Sequence, residues 1–308
     1  MGIDKYYRKG VFPSLKVGGV DVLGALGLPA IQGTVYYVEG NAGNDNNDGL
    51  SWDKAFKTLA TALAASHANI AANSRGWAAR NTIYIKGDTL DEDLTKLAQK
   101  TDIIGVGSCD DQPRARITGT HIIPDGDTVS YMGCRFFNVE FVDDGATSNI
   151  TMTNQPGIEF HNCRFTCQAA GTLAITATSC HRLVINQCEF LPMTDGTYFA
   201  TAAIKIAGTT IYGLQIKDSF IVGAIGIDCD STNVFSNLIK GNIIIATTLG
   251  IDDESDDLVI VDNKIISAAD QATLGNVLDY NAALGANNIV TGSTGTVAAP
   301  ACNFGAQS

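Results

Sequence analysis

Five short segments of this chain share one pattern at irregular intervals: Ile158–Phe165, Leu183–Phe190, Leu214–Ile221, Asn237–Ile244 and Leu258–Ile265. Val129–Phe136 fits as a sixth, with Cys134 at the key position otherwise held by Cys163, Cys188, Ser219, Asn242 and Asn263. The key positions 134, 163, 188, 219, 242 and 263 are separated by 29, 25, 31, 23 and 21 residues. A helical repeat of fixed length does not tolerate that spread. Stacked coils do, because their strands keep one length while the connecting turns vary.

Each segment alternates between inward and outward residues, breaks phase after its third residue, and resumes at the key position, as a corner between two strands requires. Ile158, Leu183, Leu214 and Leu258 fill the first inward slot, and Phe160, Ile185, Ile216, Ile239 and Ile260 the next. After the corner, Phe165, Phe190, Ile221, Ile244 and Ile265 point inward again. One column of like residues per coil is the mark of a solenoid. The corner column holds small residues with a hydrogen-bonding atom, and stacked Asn amides there can bond to backbone and to one another.

These segments resemble the repeats of right-handed parallel β-helix proteins of the pectate-lyase-like superfamily, including the corner Asn ladder; the cysteines at three corners depart from it. Val35–Val38, the turn-rich stretch Gly40–Gly49 and the helical pattern from Ser51 to Leu63 resemble the first coil and capping helix of such proteins. Ser51 is positioned as N-cap, with Phe56, Leu59 and Leu63 on one helical face. Thr82–Lys86 reads as the first full strand and Asp102–Gly107 as the next. The expected fold is all-β, a right-handed single-stranded parallel β-helix over 35–290, with a capping helix near 51–65. Residues 1–34 form an arm outside the repeat and 291–308 a closing tail. Coils stacked at about 4.8 Å give a rod on the order of 40 Å long. The fold carries lyases, hydrolases, phage tailspikes and inert scaffolds alike, so function has to come from particular residues.

Composition removes several classes. With 20 Lys plus Arg against 32 Asp plus Glu, the net charge is −12 among 308 residues. That balance excludes nucleic-acid binding by bulk charge, and 45% hydrophobic residues exclude disorder. The most apolar early stretch, 17–33, is too short to span a bilayer and is interrupted by Asp21 and Pro29. The first residues do not read as a signal peptide, so synthesis and folding in one reducing cytoplasm are expected. The eight cysteines then read as small buried hydrophobes rather than disulfide partners.

Extending the alignment to the strand before each repeat stacks Lys205, Asp228, Asp252 and Asp279, with Asp230 and Glu254 in a second column. Carboxylates about 5 Å apart match the pair of a retaining glycosidase, and like charges that close raise at least one pKa. Four could also hold a divalent cation. The alternative is a solvated acidic face, with Lys205 an ion-pair partner for Asp228. The family resemblance supplies no catalytic residues, and neither a cofactor nor a metal is expected. The loop 43–49 lacks the full pattern of a calcium site and reads as a turn built on Asn and Asp side chains. His67, His121, His161 and His181 are not in metal-ligand spacing, and His161 reads as a surface residue.

Two outward columns point elsewhere. Arg135, Arg164, Glu189, Phe220, Ile243 and Lys264 follow the corner, and Ser130, Glu159, Val184, Gln215, Leu238 and Val259 precede it. Phe220, Leu238, Ile243 and Val259 would form an apolar patch, suited to a symmetric interface or to covering by the chain's own turns. The resemblance implies a structural protein of a bacteriophage virion, tailspike-like or capsid-decorating and homotrimeric. Residues 1–34 would attach it to other virion proteins, with host-surface glycans as contacts. Alternatives are a polysaccharide hydrolase or lyase using the stacked carboxylates, and a glycan-binding adhesin without catalysis.

Overall fold

A computed structural model describes residues 16–17, 20–21, 33–72, 79–107, 115–125, 133–143, 148–167, 173–192, 199–231, 234–253, 258–267, 278–280, 284–286 and 288–292. Apart from one antiparallel pair, Lys16–Val17 with Val20–Asp21, the described strands pair in parallel. They build a β-solenoid with three faces. The first face is a ten-stranded sheet running from Val35–Val38 to Leu284–Ala286. The second runs from Thr89–Asp91 to Ile289–Gly292, and the third from His121–Ile123 to Leu278–Tyr280. Second and third faces fuse into one 14-stranded sheet because Phe220–Ser231 and Ile243–Asp253 pass through the bend between them without a break. The bend is taken up by a register shift between Gly223 and Ile225.

Left-handed residues make the corners at both ends of the first face. Asn138, Asn162, Gln187, Asp218, Gly241 and Asp262 close its strands with φ between 49° and 70°, and Lys100, Gly133, Gly157, Arg182, Gly213 and Ser236 open them with φ between 47° and 78°. Gly, Asn and Asp dominate because they tolerate that region at least cost. Their amides bond to the next coil, as Gln187 N–H does to the Lys217 carbonyl at 3.0 Å.

The interior columns are as the alternation requires. Phe160, Ile185, Ile216, Ile239 and Ile260 are fully buried, as are Phe165, Phe190, Ile221, Ile244 and Ile265. Aromatic residues stack along the axis, Phe136 on Phe160 at 5.3 Å and Phe165 on Phe190 at 4.8 Å. Each buried Ile or Phe contributes roughly 1.5–3 kcal/mol of transfer free energy.

The corner column carries its ladder. Asn242 Oδ1 accepts from Ser219 N–H at 3.0 Å, Asn263 Oδ1 from Asn242 N–H at 2.9 Å, and Asn288 Oδ1 from Asn263 N–H at 3.0 Å. The amide nitrogens of Asn242, Asn263 and Asn288 donate to the carbonyls of Ile216, Ile239 and Ile260. Where cysteine stands instead, the thiol reaches the equivalent carbonyl: Cys188 Sγ lies 3.4 Å from Phe160 O and Cys163 Sγ 3.5 Å from Phe136 O. A thiol is a weaker donor in the same place. Cys134, Cys163, Cys167, Cys180, Cys188 and Cys229 are all buried, and none of them is in a disulfide among the described residues.

Two expectations are corrected. Cys134 is not a corner residue. Phe136 pairs with Phe160, and Phe141 with Phe165, so Val139 takes the corner and Cys134 the first inward slot beside Ile158. The sequence Cys134-Arg135-Phe136 imitates Cys163-Arg164-Phe165 five residues out of register. The outward columns shift with it: Glu140 replaces Arg135 after the corner, and Arg135 replaces Ser130 before it. The capping helix also begins later than Ser51, which makes no side-chain cap bond. A short 3-10 turn covers Trp52–Lys54, and the α-helix spans Leu59–Ala72. Thr58 Oγ1 accepts from Thr61 N–H, and Glu92, distant in sequence, accepts from Leu59 and Ala60 N–H at 2.7 and 2.9 Å. In the loop 43–49, Asp45 accepts from Lys57 and Thr58 N–H and Asp48 from Leu50 N–H, so the side chains support turns as expected.

Candidate functional site

The solenoid register brings the expected acidic column together on the third face. Thr176 pairs with Lys205, Lys205 with Asp228, Asp228 with Asp252, and Asp252 with Asp279. Nothing beyond backbone register is described for Asp279, and Glu254 lies outside the described residues. Asp228 is buried although its column faces outward, and Lys205 Nζ donates to its Oδ2 at 2.8 Å. The same ammonium donates to Asp230, two residues further on the same face. Burial is the main cause that pushes the Asp228 carboxyl up, to about 6, with Asp230 adding to it against the pull of Lys205. At Asp230 partial burial acts upward, but bonds from Lys205 and Asp228 outweigh it and hold the group below the ordinary carboxylate range. Two neighbouring carboxyls are thereby driven apart in acidity, which is the electrostatic condition for an acid and base pair. Both remain tied to one lysine. Among the described residues, no three His, Cys, Asp or Glu side chains are arranged to hold a metal ion.

The corrected outward column of the second face changes character along the rod. In its first half Arg116 pairs with Glu140 at 3.0 Å and Arg164 with Glu189 at 2.7 Å. Thr166 Oγ1 donates to the remaining Glu140 oxygen. The same column then continues as Phe220 and Ile243, with Ile243 42% exposed and Phe220 half-buried. Leu238 and Val259 are adjacent, half-buried residues of the first face. The four residues are thus divided between two faces across the corner, and Ile243 is the most exposed of them.

A feature that the sequence reading missed runs along the turns that open the first face. A groove of about 570 Å³ is lined by Gly133, Gly157 and Gly213, at turn positions whose left-handed backbone favours glycine. Arg80, Lys100 and Arg182 line it, with Glu159 and Gln215. A ladder of rings borders the groove one residue upstream of the turn positions: His181, Tyr212 and Phe235, with centroids 5.2 and 5.3 Å apart. Tyr212 is 50% and Phe235 41% exposed. The signal was present two residues before the repeats at Leu183, Leu214 and Asn237, just outside the aligned segments. His161, expected on the surface, is half-buried, stacked on Phe137 at 4.9 Å and bonded to Glu159 at 2.8 Å.

The chain matches no protein-family model, no curated protein and no solved structure. Among the described residues no helix is long and apolar enough to cross a membrane.

Proposed function

We propose that this chain is a structural rod of a bacteriophage virion, of the tailspike or capsid-decorating kind, assembled as a homotrimer and fixed through residues 1–34. The phage context rests on the resemblance of the corner repeats to the pectate-lyase-like superfamily. The assembly rests on one observation, the change in a single outward column from the ion pairs Arg116–Glu140 and Arg164–Glu189 to bare Phe220 and Ile243. A column that pairs its charges over four coils, presents Phe220 and Ile243 over the next two and continues through Lys264 to exposed Ile289 fits a rod packed against like rods over a band of its length. Light scattering on the purified chain tests this. The expected mass is three chains, falling to one in the double variant Phe220→Asp, Ile243→Asp with an unchanged circular dichroism spectrum. A wild-type monomer overturns the proposal.

A second reading, polysaccharide hydrolysis, is favoured by the divergent acidities of Asp228 and Asp230. Release of reducing ends from host capsular or cell-wall glycans, lost in Asp252→Ala with folding intact, would establish it in place of the purely structural role.

A further inference from the structure

We infer that Tyr212 and Phe235 form the surface on which a second copy of this chain seats its Phe220 and Ile243. The inference rests on the homotrimer proposed above and adds which surface meets which.

Symmetry is the first argument. In a closed assembly of three, each chain meets its two neighbours through different surfaces, so an apolar band on one side needs a complement on another. A threefold axis along the rods also preserves height. A residue therefore meets residues of its own level in the neighbouring chain, to within the rise of about 4.8 Å per coil.

The second argument is that two exposed apolar sets lie at matching heights. Tyr212 and Phe220 stand eight residues apart on either side of one first-face strand, Gln215–Lys217. Phe235 and Ile243 stand eight apart on either side of the next, Asn237–Lys240. Both sets advance by one coil, since Tyr212 pairs with Phe235 and Phe220 with Ile243. Tyr212 is 50% exposed and Phe235 41%, against 42% for Ile243. The two aromatic side chains stack with centroids 5.3 Å apart, making a strip as long as the band it would receive.

Charge is the third. Arg182 N–H bonds to Tyr212 O, which places Arg182 one coil before Tyr212, and Glu189 pairs with Phe220, one coil before it on the second face. Arg182 and Glu189 thus share a level. Arg182 is exposed and forms no ion pair among the described residues. Both bonds that Glu189 receives from Arg164 end on Oε2, and the glutamate side chain is 41% exposed. Its Oε1, which accepts no bond among the described residues, is open to a guanidinium from the neighbouring chain.

The same charges argue against the band meeting itself. With Phe220 and Ile243 on the threefold axis, three Glu189 carboxylates would converge one coil to one side and three exposed Lys264 ammonium groups one coil to the other. Juxtaposed like charges are unfavourable, whereas the Tyr212 surface sets hydrocarbon against hydrocarbon and cation against anion.

Variants of the full chain test the pairing. Tyr212→Asp, Phe235→Asp should reduce the mass in light scattering from three chains to one with circular dichroism unchanged, although Phe220 and Ile243 are intact. Arg182→Glu should raise at least tenfold the concentration at which the trimer dissociates. A cysteine pair gives a readout that needs no loss of assembly. In Tyr212→Cys, Phe220→Cys, oxidised glutathione should join neighbouring chains, two thiols forming one disulfide as the glutathione disulfide is reduced to two thiols. Non-reducing gels should show covalent dimers and trimers for the pair, and monomers for wild type and for either single variant. A trimeric wild type whose mass survives the Tyr212→Asp, Phe235→Asp change, whose cysteine pair stays unlinked, or whose Phe220→Cys variant links by itself overturns this inference and leaves the assembly standing. A monomeric wild type overturns both.

Discussion

Replacing Asn242 by alanine tests whether the corner ladder holds the coils in register. The side chain is buried, with only 1% exposure, and three bonds leave with it: from Ser219 N–H to Oδ1 at 3.0 Å, and from Nδ2 to Ile216 O at 3.0 Å and to Asn263 Oδ1 at 2.9 Å. Each net hydrogen bond contributes about 1 kcal/mol, and a buried donor left without an acceptor costs ~1–3 kcal/mol. The Ser219 amide is such a donor, so Asn242→Ala should destabilise by about 3–4 kcal/mol. Asn242→Cys should cost roughly half as much. Its thiol can reach the Ile216 carbonyl as Cys188 reaches that of Phe160, while the acceptor for Ser219 is lost. Because each coil of a solenoid touches only its neighbours, the loss should be local. Hydrogen exchange should accelerate at Ser219 and Asn242 and stay unchanged at Val38 and Ile83, near the far end, alongside a lower urea midpoint. An alanine variant within about 0.5 kcal/mol of wild type, or a cysteine variant less stable than alanine, would refute the reasoning.

Other outcomes follow from buried titratable groups. The Asp228 carboxyl sits at about 6 against an ordinary 3.8, so the folded chain holds this proton more tightly than the unfolded one. The stability it contributes is complete below the unfolded value and is lost as pH rises through the folded one. Asp228→Asn should therefore gain on wild type between pH 3.8 and about 6 in urea titrations, and a difference constant across that range would contradict the assignment. Burial pushes the Cys134 thiol up to about 12 and that of Cys180 up to about 11. Neither should be alkylated by iodoacetamide in the native chain at mildly basic pH, and both should react once it is unfolded; rapid native labelling would show that these coils open.

The interior was legible because the core forces sameness. Phe160, Ile185, Ile216, Ile239 and Ile260 occupy equivalent space in successive coils, so similar residues recur and the column is visible despite loops of different lengths. The acidic column was legible for a related reason, since the long strands Phe220–Ser231 and Ile243–Asp253 carry the register across the bend to Asp228 and Asp252. Helix capping was not. Its acceptor, Glu92, lies 33 residues beyond Leu59 and is brought there only by the second face. The groove escaped because glycine announces a turn whether or not anything packs along it, and because the bordering rings fall just outside the repeat.

The five-residue error at Cys134 shows what a search for sameness overlooks on the exterior. An outward residue is constrained mainly by its neighbours on adjacent coils, and there complementarity is favoured over likeness. In the misaligned register Arg135 would stand beside Arg164, two like charges on neighbouring strands. In the true one the column reads Arg116, Glu140, Arg164, Glu189, with alternating sign. Arg135 instead meets Asp102, which it grips through two bonds of 2.7 Å. Charge alternation therefore carries register information that the Cys-Arg-Phe motif contradicts, and it is the stronger of the two. A motif needs only three residues to coincide by chance, whereas a misplaced ladder costs an unfavourable contact at every coil. The alternation of sign stops at Phe220 and Ile243, beyond which the column continues with Lys264.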